Sequence, residues 1–551
     1  MRPRLRDLIR ESRRGGPEGI AVKLKPHNRP GAEDHDAGRA FPPLLRWGVL
    51  LTAAFYLLAH FSIVQGVWPV HGVAPRSGGV LMRDIVALFG WLLLLAGMHF
   101  LRYRGSWALL ALPVMIFLLT RPSLFQLFTD PVYQATAGTR AEANALKADR
   151  AQMTTILRAY DEERQQLVFQ GPPPPIPDPI EAIRSVTATE RSSVSRLGSS
   201  LSVVFAPVAL LLAFLWARRH GSLRWVRDRR VWPFAVTFGI FILLTLLPGV
   251  RTTGKVAGTT PWELLLPVFI MVWAAVLADD AYNLARPGEV VTPRRVLGLV
   301  GYGALPVVPF LLIHELGLSI VLAGSLATML LVGTRRGWWA GLMVVVWIAL
   351  VFAAFNLDER SQTRLALALE PYRDISAMTE QEAEAWAARN HQIKLFDANV
   401  LAGGWFGAGP GRGHAETAPN AADDGFITTV GAQWGWFGAL AYVLLYTALL
   451  IQMLWVAMRE RSAFERSLAT GLAMLIAIPF WLATLAGVRV IPLTGVATAF
   501  AAHGGAKLLA SAVAVGILAA ISHRRAEEER MQEAVAPPAG PDLSDAGVRI
   551  R

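Results

Sequence analysis

Residues 419–456 read PNAADDGFITTVGAQWGWFGALAYVLLYTALLIQMLWV. A polar turn with two adjacent acids, Asp423 and Asp424, runs directly into an apolar stretch over about 431–456. That stretch is long enough to cross the hydrocarbon core of a bilayer, which takes ~20 residues of helix. The same pattern repeats along the chain, at about 43–67, 84–102, 106–127, 198–217, 231–249, 262–282, 296–314, 317–333, 337–355, 466–487 and 503–522. The runs lack the ~10-residue alternation of an outer-membrane barrel. Composition agrees, with 551 residues, 53% of them hydrophobic and 17% charged, and a mean hydropathy of +0.40. The expected fold is an all-α polytopic membrane protein with about 12 transmembrane helices.

The formal charge of +12 would suit a nucleic-acid binder, but the basic residues are not spread evenly. They crowd into MRPRLRDLIRESRR at the N-terminus, ARRHGSLRWVRDRR at 217–230, RPGEVVTPRR at 286–295, TRRG at 334–337, MRERSAFER at 458–466 and SHRR at 522–525. Twelve spans place all of these on one side, and lysine and arginine concentrate in cytoplasmic loops. The expectation is a cytoplasmic membrane protein with both termini cytoplasmic and no nucleic-acid partner. The chain has no cysteine, which excludes disulfides and thiolate metal sites. No cleaved signal peptide is expected, because the first apolar run begins near residue 43 behind a basic tail at 1–42.

Two long polar loops fall on the opposite side. The first, 128–197, carries a segment with apolar residues near helical spacing (Leu146, Met153, Ile156, Leu157, Tyr160, Leu167) and ends in GPPPPIPDP, a stiff spacer. It reads as a helix packed on its own protein's surface or as a docking face for a partner. The second, 356–430, holds Asp423 and Asp424 and is too long for a connector. The tail at 523–551 is charged, then rich in alanine and proline, and is expected to be disordered.

Ionisable groups beside spans are costly and mark candidate sites. Glu263, in TTPWELLLP, also suits a plain helix N-terminus, where an acid in the first turn is favoured. Glu315 in LLIHELGLS has the same two readings, and His314 beside it belongs to no HExxH motif. Asp279 and Asp280 read as a solvated surface. GGWFGAGPGRG at 403–413 follows no strand, so its glycines suit tight turns or close approach to a lipid headgroup rather than a dinucleotide. Arg360, Arg364 and Arg373 are candidates to face an anion. Without wider context, Asp423 and Asp424 read as a solvated turn.

Several of these segments, in order, resemble the SEDS family, the shape, elongation, division and sporulation proteins of the RodA, FtsW and SpoVE type. TTPWELLLP at 259–267 resembles that family's helix-start glutamate motif, and LLIHELGLSIVL at 311–322 its proline-aspartate-leucine-glycine-threonine segment. Arg364 stands seven residues before Pro371, and Gln392 eleven before Gly403-Gly404, as the family's arginine and glutamine do. PNAADDGFITTVGAQWGWFG at 419–438 aligns without a gap to the family's catalytic stretch, and IPLTGVATAFAAHGGAKLL at 491–509 to its proline-leucine-threonine-glycine segment. The resemblance covers about 106–522 and implies a ten-helix core preceded by an extra N-terminal hairpin at 43–102.

The resemblance implies a glycosyltransferase that polymerises lipid II into peptidoglycan glycan strands on the outer face of the membrane, beside a class B penicillin-binding protein. It places the catalytic acid at Asp424. Glu263, Arg364, Gln392, Arg251, Lys255 and Asp423 are the expected substrate-binding set, and a divalent cation (Mg or Mn) is a candidate cofactor. The departures are specific: Leu266 replaces a lysine, Arg251 a tryptophan, Asn420 and Ala422 a glutamate and a histidine, Gly425 a phenylalanine, Ala432-Gln433 an acid pair, and His503 a tyrosine. They leave open a non-catalytic scaffold that activates a cell-wall synthase. A flippase or transporter of lipid-linked sugar is the third reading, disfavoured because its site would sit near the bilayer midplane.

Overall fold

The computed structural model describes residues 41–66, 78–129, 193–246, 260–285, 299, 301–312, 315–334, 337–356, 380–413, 415, 418 and 420–535. The expected segment and spacer at 130–192, together with Arg251, Lys255 and Arg364, lie outside these residues.

The described residues are helical because a chain in lipid must satisfy every backbone N–H and C=O internally. In chain order the helices are α1 (Pro43–Gly66), α2 (Gly78–Phe100), α3 (Ala108–Thr129), α4 (Ser193–Arg218), α5 (His220–Asp228), α6 (Val231–Thr245) and α7 (Trp262–Ala285). There follow α8 (Val308–Leu312), α9 (Leu316–Thr334), α10 (Gly337–Asn356), α11 (Glu380–Gly403), α12 (Phe426–Arg459), α13 (Ala463–Gly487) and α14 (Gly505–Val535). Among the described residues, 9 helices are long and apolar enough to cross a membrane, and Val231–Thr245 and Gly337–Ala349 are shorter apolar helices. This is a multi-pass membrane protein.

Three expectations need correction. The run at 296–314 is not one continuous helix: its described part is interrupted by a 3₁₀ turn at Leu305–Val307 before the short α8. Pro306 and Pro309 explain the break, since each removes an N–H and crowds the preceding turn. The loop at 356–430 contains α11, whose sequence EQEAEAWAARNHQIKLFDANVLAG is rich in helix formers yet too polar for a hydropathy scan to mark. The last helix continues to Val535, so residues 523–535 of the expected disordered tail are helical. Arg524 and Arg525 anchor that extension, Arg524 to Glu465 at 2.8 Å and Arg525 to Glu529 at 2.7 Å.

The core pairs α4 with α14, and α13 with α7, α9 and α12. Small residues line the closest pairing, with Ala206, Ala213 and Ala217 on α4 and Ala512, Ala514 and Ala519 on α14 all buried. Such residues let helix backbones approach where lipid gives no hydrophobic drive to association. The segment 43–102 forms α1 and α2, which pack on α3 and α4. A buried polar cluster fastens it there. Arg121 on α3 donates to Asp84 Oδ1 from Nε at 3.0 Å and Nη2 at 2.9 Å, and Arg83 Nε donates to the same oxygen at 2.9 Å. Tyr56 on α1 donates its hydroxyl to the Asp84 carbonyl at 2.7 Å. Helix α3 in turn packs on α12, which follows the acid turn.

Candidate active site

The turn that carries Asp424 is fixed on three sides. Asn420 adopts a left-handed conformation with φ 59°, which asparagine tolerates better than most residues. Its carbonyl accepts the N–H groups of Asp423 at 3.0 Å and Gly425 at 3.2 Å. Thr429, one turn into α12, donates its hydroxyl to the Ala421 carbonyl at 2.9 Å. From across the bundle the His503 N–H donates to the Ala422 carbonyl at 2.6 Å. The result holds Asp424 buried and Asp423 half-buried immediately ahead of Phe426, the first residue of α12. A helix N-terminus favours the ionised form of a nearby carboxylate.

Gly425 stands where the resemblance expects phenylalanine, and the structure supplies the reason. The ring of Phe396, from α11, fills the space beside it so closely that a Cβ on Gly425 would overlap the ring. The aromatic wall of the turn thus comes from another helix. Gln433, in place of an acid, is bound by α3: Ser123 Oγ donates to Gln433 Oε1 at 2.6 Å, and Gln433 Nε2 donates to Gln126 Oε1. Trp434 Nε1 donates to the same Ser123 hydroxyl at 3.1 Å.

Just beyond, α12 breaks at Gly435, with φ 66° and ψ −168°, a region open essentially to glycine alone. The loop at 403–413 occupies the break. Ala408 N–H donates to Ala432 O at 3.1 Å, Gly409 N–H to Gln433 O at 2.9 Å, and Trp436 N–H to Gly404 O at 2.9 Å. These bonds satisfy the Ala432 and Gln433 carbonyls and the Trp436 N–H that the break frees. The close approach served by those glycines is therefore to α12, in place of the expected lipid headgroup.

Glu263 is buried in the first turn of α7 and accepts a hydrogen bond from the Thr260 hydroxyl at 2.9 Å. This is the helix-start role foreseen for it, since an N3 acid commonly reaches back to the cap residue. The same carboxylate acts electrostatically on Lys507, a buried residue in the first turn of α14. Gly317 packs against Thr494 and Val496, bringing the segments 311–322 and 491–509 together. Gln392 is half-buried on α11, the helix that delivers Phe396. Glu315 is half-buried at the entrance to α9. Asp279 lies on the surface, paired with Arg227 at 3.2 Å and with Arg230.

Sequence reading missed Lys507, Phe396 and the Ser123–Gln126–Gln433 network. Lys507 had a usable signal: it is a lone cation in the otherwise apolar GGAKLLASAVAVGILAAIS. Phe396 and Ser123 had none, because their roles depend on which helices meet. No group of three or more His, Cys, Asp and Glu side chains converges among the described residues.

Residues 255–527 match the model of the cell cycle protein family FtsW/RodA/SpoVE. Over these residues the chain resembles the SEDS family. Peptidoglycan glycosyltransferase RodA of Mycobacterium tuberculosis is 30% identical over 321 residues, which cover 58% of this chain and 62% of RodA. The chain thus spans less than two thirds of that relative's length. A probable peptidoglycan glycosyltransferase FtsW of Geobacter metallireducens is 26% identical over 313 residues, covering 54% and 79% of the two chains. Among solved structures, a chain of a peptidoglycan synthase complex matches with a TM-score of 0.46 and 18% identity, covering 61% of this chain and 91% of its own.

Proposed function

We propose that this SEDS-like protein polymerises lipid II into peptidoglycan glycan strands at the outer face of the bacterial cytoplasmic membrane, in cell elongation or division. Asp424 carries the reading: it is a buried carboxylate in a turn locked by Asn420, Thr429 and His503.

In this reading the 4-hydroxyl of the acceptor sugar attacks the anomeric carbon of the donor. Asp424 removes the hydroxyl proton as the new C–O bond forms, which requires approach to about 3 Å. The anomeric C–O bond to the polyprenyl diphosphate breaks, and the diphosphate departs with the bonding electrons. A diphosphate is a good leaving group, so its negative charge needs stabilisation more than a second acid. Arg364, Arg251 and Lys255 are the cations that the sequence offers for it, and Gln392 the candidate for sugar contacts. Asp423 and Asp424 suit a divalent cation only in the sparse manner of magnesium, with one or two carboxylates and the rest from phosphate and water. Bound there, Mg or Mn would stabilise diphosphate charge.

The topology that fits has both termini cytoplasmic and the turn outside. A class B penicillin-binding protein is the fitting partner, because strands must be crosslinked where they emerge. The scaffold reading draws on the changed residues at 420, 422, 425 and 432–433; against it, Phe396 fills the space beside Gly425 and Ser123 holds Gln433. The test is polymerisation of labelled lipid II by the purified protein beside Asp424→Ala, with and without a partner and divalent cation. Strands from the wild type alone are expected. Equal product from the variant would remove Asp424 from the role, and no product from either, with the partner bound, would favour the scaffold.

A further inference from the structure

Lys507 is 3% exposed and belongs to a spanning helix. Three circumstances make it an expensive residue. Its side chain is almost wholly buried. No described residue hydrogen-bonds or ion-pairs with it, and its electrostatic partner Glu263 already accepts a bond from Thr260. It also stands in the first turn of the 31-residue α14, where the helix dipole favours anions and opposes a cation. A buried charge left incompletely compensated costs several kcal/mol in general. Chains keep such groups where a ligand of opposite charge completes the site.

The position identifies the ligand's charge and place. Four residues before Lys507, the His503 N–H holds the Ala422 carbonyl of the acid turn, and the His503 ring packs edge-on against Phe128 at 4.7 Å. The charge of Glu263 acts on Lys507, and one turn along α7 from Glu263 is buried Leu266, where the SEDS resemblance expects a lysine. The cation lost from α7 at 266 is matched by a cation gained on α14, addressed to the same carboxylate.

We propose that Lys507 is an anion-binding residue of this site, contacting the diphosphate of the polyprenyl-linked donor in place of a lysine at 266. Lys507 is a binding residue in this assignment, which rests on the glycosyltransferase reading for its ligand. Glu263 is a positioning residue that holds the ammonium when no diphosphate is present.

The test measures binding of undecaprenyl diphosphate to the full-length protein in phosphatidylcholine nanodiscs, with undecaprenol and phosphatidylglycerol as competitors. Lys507→Met should weaken binding by at least about tenfold, the usual loss for one charge-assisted contact. Its melting temperature should hold or rise, because the buried charge is gone. Lys507→Arg should retain part of the binding, and Lys507→Met with Leu266→Lys should restore most of it. Binding by Lys507→Met within about twofold of wild type would overturn the assignment. Full competition by undecaprenol or phosphatidylglycerol would do the same. Polymerisation of lipid II measured in parallel separates the two claims. A polymerising wild type with normal binding by Lys507→Met removes the lysine and keeps the function. Binding that depends on Lys507 without any polymer from wild type keeps the lysine and removes the polymerase.

Discussion

Two groups of charges are buried in this apolar bundle, and they are satisfied in different ways. In the N-terminal hairpin, Asp84 is fully buried and its Oδ1 receives three N–H donors from Arg121 and Arg83, between 2.9 and 3.0 Å. In the first turn of α14, Lys507 forms no ion pair with a described residue and feels the charge of Glu263. The first group neutralises its acid within the protein, with Arg83 Nη2 left unpaired, and acts as a clamp between α2 and α3. In the proposed assignment the second is completed by an anion. Burial alone thus does not distinguish structure from function; whether the opposite charge sits within hydrogen-bond reach is the difference between the two groups.

The largest effect should come from breaking the clamp. Asp84→Ala leaves Arg121 and Arg83 buried without a counter-charge, a loss of about 3–5 kcal/mol. Thermal unfolding in detergent would show it as a large drop in melting temperature, and Asp84→Leu with Arg121→Met should recover much of the loss. Next is the acid turn itself. Gly425→Ala drives a methyl into the Phe396 ring, at a cost of about 2–3 kcal/mol together with lost activity. Adding Phe396→Ala should return stability, since the overlapping ring is gone, while the looser turn keeps activity low.

A smaller effect is expected at the link between the two regions. Gln433→Ala forfeits the bonds to Ser123 and Gln126 and should cost about 1–2 kcal/mol. If hairpin and turn communicate through α3, the same variant lowers polymerisation more than its stability loss explains. The smallest effect lies at the opposite end of the bundle. Glu460, just past α12, is buried in the wall of a cavity of about 300 Å³. Burial first, and then the neighbouring Glu465 carboxylate, push its carboxyl up from 4.5 to about 7. An acid raised on folding binds its proton longer in the folded state, so stability falls as pH rises from 4.5 towards 7. Glu460→Gln should therefore gain roughly 1 kcal/mol at pH 8, after screening by water in the cavity, and nothing near pH 4.5. Equal melting temperatures at pH 8 would contradict this.

The spans were legible because ~20 apolar residues in sequence have one stable solution in lipid. Reading failed where that rule is silent. Pro306 and Pro309 interrupt a run whose hydropathy still looks continuous. Helix α11 forms from alanine, glutamate and glutamine, which helix propensity favours and hydropathy ignores. At the site, Asp424 and Glu263 were readable from motif order, and the structure adds their burial. The replacements were not readable. Gly425 looks like a lost phenylalanine until Phe396 is seen beside it, and Lys507, whose ammonium feels the charge of Glu263, lies on a different helix from Leu266. Such exchanges cross helices, so they have no local signature in the chain.

The most direct test of the account is glycan-strand formation from lipid II by Asp424→Asn, which keeps the shape of the side chain and removes its basicity. The account predicts a melting temperature within a few degrees of wild type and loss of at least about 100-fold in rate, the low end for removing a general base. A folded Asp424→Asn protein that polymerises at the wild-type rate would contradict it.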